Sequence, residues 1–116
     1  MKKTSSAFDS RTSAARALVK WVAAREQVPV ASLRGASRVR SLSRVRAICG
    51  YLGRDVAGVP IARVALEVDR DPSTLWRDVQ WLEGEMKRDR AVAKSVREIA
   101  AACAAWVKGS AAAPRR

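Results

Sequence analysis

From Ala15 to Val107 the apolar residues recur three and four positions apart, the spacing of one helix face, and no segment reads as a strand. Pro29, Gly35, Gly58, Pro60 and Pro72 cut that pattern into pieces, because proline and glycine each interrupt a helix. A chain of 116 residues so punctuated has room for one small domain. Alanine supplies 22 of its hydrophobic residues, so the core is thin and helix-prone. The expected fold class is all-α, a small helical bundle.

The elements follow from the spacing. Residues 1–13 are rich in Ser, Thr and Lys without periodicity, and are expected to form a disordered tail. A first helix runs from Ala14 to Glu26, with Ala15, Leu18, Val19, Val22 and Ala23 inward, and a short second one from Pro29 to Arg34. A third spans 41–56, with Ser41 as N-cap, Gly58 as C-cap and Leu42, Val45, Ile48, Cys49, Leu52 and Val56 in its stripe. Pro60 opens a short helix that turns Ile61, Val64, Ala65 and Val68 inward. Asp69 sits in the turn before Arg70, a position where glycine is common because it accepts positive φ, and Asp tolerates that better than most. Asp71 then caps a helix with Pro72 at N1 and a seam of Leu75, Val79, Leu82 and Met86. Asp89 begins the last helix, carrying Val92, Val96, Ile99, Cys103 and Trp106 on one face. The domain is expected to span 14–107, with 108–116 as a second disordered tail.

Charge narrows the function. Lys and Arg outnumber Asp and Glu by 23 to 11, the net charge is +12, and the sequence pI is near 11.2. Such a surplus suits nucleic acid or an anionic surface, and 17 of the cations are Arg, whose planar fork fits phosphates and guanine edges. The chain has no histidine, which removes His-based acid–base chemistry, His-activated nucleophiles and His-containing metal sites. Cys49 and Cys103 cannot complete a zinc site and are expected to be buried thiols. Tyr51 has no activating neighbours and is expected to pack. No glycine-rich phosphate loop exists, so neither a nucleotide nor another cofactor is expected, and the chain is not expected to be an enzyme. The longest nearly apolar stretch, Ile99 to Val107, is too short to span a bilayer, and Met1-Lys2-Lys3 lacks a following apolar region. The expected location is the cytoplasm, at the nucleoid.

Two features carry the functional reading. Arg34, Arg38, Arg40, Arg44 and Arg46 place five cations in thirteen residues with no carboxylate between them, where a solvated charge run alternates in sign. Phosphate contact explains such a run. The second feature is a short helix, a tight turn and a longer capped helix, the pattern of a helix-turn-helix. Its inward residues lock the two helices, while Ser73, Thr74 and Arg77 remain free to face base edges.

Together these elements resemble the C-terminal DNA-binding domain of the bacterial replication initiator DnaA, a Trp-repressor-like helical fold. The resemblance runs from about Val22 to Ile99 and rests chiefly on Ser32-Leu33-Arg34-Gly35-Ala36-Ser37-Arg38 and Arg70-Asp71-x-Ser73-Thr74. It implies that Arg38 enters the minor groove, that Arg46 holds a phosphate, and that Asp71, Ser73 and Thr74 read the major groove. Arg34, Arg40, Arg44, Arg63, Arg70 and Pro72 complete the expected contact set. The chain departs from the family in three ways. Pro72 stands where the family has His, the turn before Arg70 is one residue shorter, and the ATPase domain is absent. The same domain is found appended to REP-associated tyrosine transposases, which makes a transposase remnant or accessory domain the alternative.

The expected partner is therefore double-stranded DNA, with no membrane. A protein partner at a face bearing Trp21, Trp81 and Trp106 is the rival from another class. Trp76 and Trp81 are expected to pack against the last helix, with stacking on a base or sugar as the alternative, and Glu83, Glu85 and Asp89 to form a solvated helix end with i, i+4 pairs.

Overall fold

Leu18, Leu33, Ile48, Val64, Leu75, Leu82 and Val96 each lie on a different turn of chain, yet all are withdrawn from solvent into one cluster. The elements that bring them together were obtained as a computed structural model, which describes residues 3–37 and 39–112. They are α1 (Lys3–Arg25), α2 (Val30–Arg34), α3 (Arg40–Leu52), a π-helical turn (Gly53–Ala57), α4 (Ile61–Glu67), α5 (Pro72–Arg88) and α6 (Arg90–Ala112). The chain is all-α, with no strand among the described residues. Within the same residues, no helix is long and apolar enough to cross a membrane.

Helix α3 runs through the middle, packing on α5 and on α1, while α1 also covers α4 and α6 closes over α5 and the π turn. The α3–α5 crossing is close because Gly50 lies at it. A Cβ there would stand 2.8 Å from Cγ2 of Val79 and 3.4 Å from Cγ of Leu75. Gly50→Ala is therefore expected to destabilise the fold by a net of about 1 kcal/mol. Overpacking, at about 1–3 kcal/mol, outweighs the gain in helix propensity. A urea midpoint that rises in this variant would show that the crossing can yield.

The helix boundaries differ from the sequence expectation in four places. α1 reaches back to Lys3 and α6 extends to Ala112, so the segments read as tails are partly helical. Neither extension contains proline, and α1 meets no glycine or proline before Pro29. The rest of both tails lies outside the described residues. Ser41 is not the N-cap of α3. The helix begins at Arg40 with Val39 in the cap position, and no side chain caps it. At its other end α3 stops at Leu52, and the chain widens into the π turn before Gly58 closes it in the left-handed conformation, φ 69°. The turn opens at a close approach that only glycine permits: a Cβ on Gly53 would lie 2.9 Å from Cγ2 of Val64 and 3.0 Å from the carbonyl oxygen of Val59. Gly58 as the C-cap agrees with its sequence reading.

Both thiols are buried. Burial pushes the Cys49 thiol up to about 12, so it is protonated and unreactive at neutral pH. Trp21 stacks on Trp106, ring centroids 5.5 Å apart, whereas Trp81 carries the Arg40 guanidinium 4.8 Å from its centroid. The tryptophans expected on one face are thus engaged in separate contacts.

Candidate functional site

The connection between α4 and α5 is set by three residues. Asp69 takes φ 54°, the left-handed conformation its position required. Asp71 caps α5, its carboxylate accepting from the backbone N–H of Ser73 at 3.0 Å and from the Ser73 hydroxyl. Pro72 occupies the first helical position, where no N–H is needed. The Ser73 hydroxyl holds the Asp71 carboxyl below its ordinary value of 3.8, with the Ser73 backbone N–H acting in the same direction. A depressed folded value stabilises the folded state above the unfolded value and loses that contribution as pH falls through the folded one. Asp71→Asn, which keeps an N-cap acceptor, is expected to leave neutral-pH stability nearly unchanged and to flatten the acid limb below pH 3.8. Thermal melts at pH 7 and pH 2.5 would check this.

Two arginines then tie the loop after α2 to this turn. Arg46, only 1 % exposed, donates from Nε to the Leu33 carbonyl at 2.8 Å and from Nη2 to the Ser37 carbonyl at 3.0 Å. Longer contacts reach the carbonyls of Ser32 and Gly35. Arg70 donates to the same loop, Nη2 to the Gly35 carbonyl at 2.6 Å, while its Nη1 holds the Asp69 carbonyl at 3.0 Å. The loop carbonyls of Gly35 and Ser37 are thus shared by a guanidinium from α3 and one from the turn. Arg46 was expected to hold a phosphate and instead is a buried structural residue. Burial lowers its pKa, as does the charge of Arg70, with Asp78 opposing. The signal was present in the sequence: Arg46 is four after Leu42 and three before Cys49, in the middle of the apolar stripe.

A cleft of about 550 Å³ opens beside these two arginines, between the loop, α3 and the start of α5. Ala36, Ser43, Arg46, Arg70, Thr74, Arg77 and Asp78 line it. Three cations, two hydroxyls and one carboxylate make an anion-favouring wall. Asp78 is half-buried, and desolvation raises its pKa against the pull of Arg46 and Arg70. It faces those two cations across the cleft.

Along α5, Leu75, Val79 and Leu82 point into the core, while Pro72, Ser73, Trp76, Arg77 and Gln80 are exposed. At about 100° per residue, Trp76, Gln80, Ser73 and Arg77 follow one another across an arc of roughly 100°. Thr74 sits half-buried at the cleft edge of that arc. Gln80 was missed by the sequence reading. Its spacing, three after Arg77 and seven after Ser73, could have found it.

The remaining candidates are spread around this surface. Arg34 is exposed at the end of α2, and Asp71 is exposed at the cap. Arg40 is exposed but stacked on Trp81, and Arg44 lines a neighbouring cleft with both of them. Arg63 is half-buried on α4. Arg38 lies outside the described residues, between Ser37 and Val39.

The far flank of α5 differs from the expectation. Trp76 does not pack away against the last helix but is 43 % exposed, with Arg54 of the π turn 5.9 Å from its ring centroid. Arg54 also lies 5.8 Å from the Tyr51 ring and pairs with Asp55 at 2.7 Å and with Glu83. Glu83 therefore bonds across elements, Glu85 pairs with Arg88 at i, i+3, and Asp89 caps α6 through the N–H of Ala91. The i, i+4 pairs expected for this acidic stretch do not form. Hydrogen bonding to the two carboxylates raises the Arg54 pKa and lowers that of Asp55.

Comparison with known protein families, curated proteins and solved structures finds no match to this chain.

Proposed function

We propose that the chain is a sequence-specific double-stranded DNA-binding protein that works as a helix-turn-helix, with α4 as the supporting helix and α5 as the reading helix. The observation that carries this reading is the polar arc of α5 standing directly beside the cationic cleft. One strand of a duplex whose major groove holds α5 would bring a phosphate to Arg70, Arg77, Ser43 and Thr74. Ser73, Arg77 and Gln80 would meet base edges, Gln80 with the amide geometry that pairs adenine N6 and N7. The arginine clamp holds the loop bearing Arg38 against the turn, so a minor-groove contact by that loop and a major-groove contact by α5 would form as one rigid unit. The resemblance to the initiator's DNA-binding domain supports the same assignment, with Arg46 removed from the contact set.

The test is selection from random duplex DNA at about 150 mM salt. Enrichment of a short motif is expected, with log K falling against log salt at a slope of about −3.6 to −5.4 for some four to six phosphates. Recovery of unselected sequence, with binding that collapses as salt rises, would leave only the cation surplus at work and end the claim of base readout.

A further inference from the structure

Trp76 stands at the end of the exposed arc of α5 away from the cationic cleft, in the second turn of the helix, where a major-groove helix meets base edges. Its ring is held rather than loose. The Arg54 guanidinium lies over it, and Arg54 is fixed by Asp55 and Glu83. That arrangement also decides what the ring can meet. The Arg54 charge over the ring is taken up by Asp55 and Glu83, so it offers a phosphate little, whereas Arg70 and Arg77 line the cleft at the other end and attract one. With the backbone of the duplex drawn to the cleft side, the flank bearing Trp76 faces the groove floor. Among base edges in the major groove, the thymine C5 methyl is the apolar one. We infer that Trp76 is a specificity residue that packs its preorganised ring against a thymine methyl. Arg54 is its positioning residue. This inference rests on the DNA-binding reading and names what that site prefers at one or two base pairs.

The experiment uses the full chain and the duplex obtained by selection, with each thymine replaced in turn by deoxyuridine, which removes only the methyl. The wild-type protein is expected to lose about fourfold in affinity at one or two positions, the amount that one buried methyl group is worth. Trp76→Ala should bind the parent duplex as weakly as the wild type binds the substituted one, and should show no further loss on substitution. Trp76→Phe should keep part of the discrimination, and Arg54→Met should lose most of it with the salt slope unchanged. An unchanged salt slope in Trp76→Ala shows that the fold and the phosphate contacts survive. If Trp76→Ala keeps the full loss at every position, if the wild type is indifferent to all the methyl groups, or if the motif contains no thymine, the inference is overturned and DNA binding stands. If no motif is enriched at all, the DNA reading itself fails.

Discussion

Replacing Arg46 by methionine is expected to lower the unfolding free energy by about 3 kcal/mol while leaving the salt dependence of DNA binding unchanged. The variant strands the carbonyls of Leu33 and Ser37, which Arg46 holds at 2.8 and 3.0 Å. Each buried acceptor left without a partner costs about 1–3 kcal/mol, and the relief of desolvating one charge offsets part of that sum. Methionine keeps the apolar stem, so the loss reports the guanidinium rather than a cavity. Arg46→Lys should fall between the two, since an ammonium on a flexible stem cannot span both carbonyls as the planar fork does. Urea unfolding and a salt titration of DNA binding separate this from a phosphate-contact role. Such a role predicts near-normal stability with the slope flattened by about one unit.

Charge reversal at Arg77 carries the largest functional effect. Arg77 is exposed, lines the cleft and sits on the polar arc of α5, so in the proposed complex it would meet a phosphate, a base edge, or both. Arg77→Glu places a carboxylate beside Asp78 and opposite the duplex. The expected loss is about a hundredfold in affinity for the selected site, from a lost contact worth about 1–3 kcal/mol and a new repulsion. Stability should change little, because the side chain is in solvent. Arg77→Lys distinguishes the two contacts. If it restores affinity and motif preference together, Arg77 serves a phosphate. If it restores affinity but relaxes one base position, the planar fork was reading a base. An affinity unchanged by Arg77→Glu would place the DNA surface elsewhere on the molecule.

Much of the architecture was legible because its causes are local. The positive φ at Asp69, the Asp71 cap, Pro72 at N1 and the left-handed Gly58 each depend on a residue's own stereochemistry or on neighbours two or three positions away. The inward seam of Leu75, Val79 and Leu82 is likewise written in helical spacing. What sequence spacing misassigned is the work of long side chains that cross between elements. Arg46 reaches a loop 9 to 14 residues away, and Arg70 the same loop from 33 to 35 residues away. Arg54 reaches Glu83 29 residues on. The apolar stripe puts Arg46 on the inward face of α3, but which carbonyls its fork meets is not written in the spacing.

The sequence by itself determined an all-α chain, the stops of α1, α2, α4 and α5, the capped entry to α5 and which of its residues lie inward. Those follow from backbone stereochemistry and from the 3.6-residue period. Only the tertiary structure decided how the cations divide: Arg46, Arg54 and much of Arg70 are committed to holding the protein together, and Arg77 is exposed to solvent at the cleft. The reason is physical. A guanidinium's partner is set by which carbonyls and carboxylates the fold brings within about 3 Å, and that proximity exists only after α3, the loop and α5 have packed.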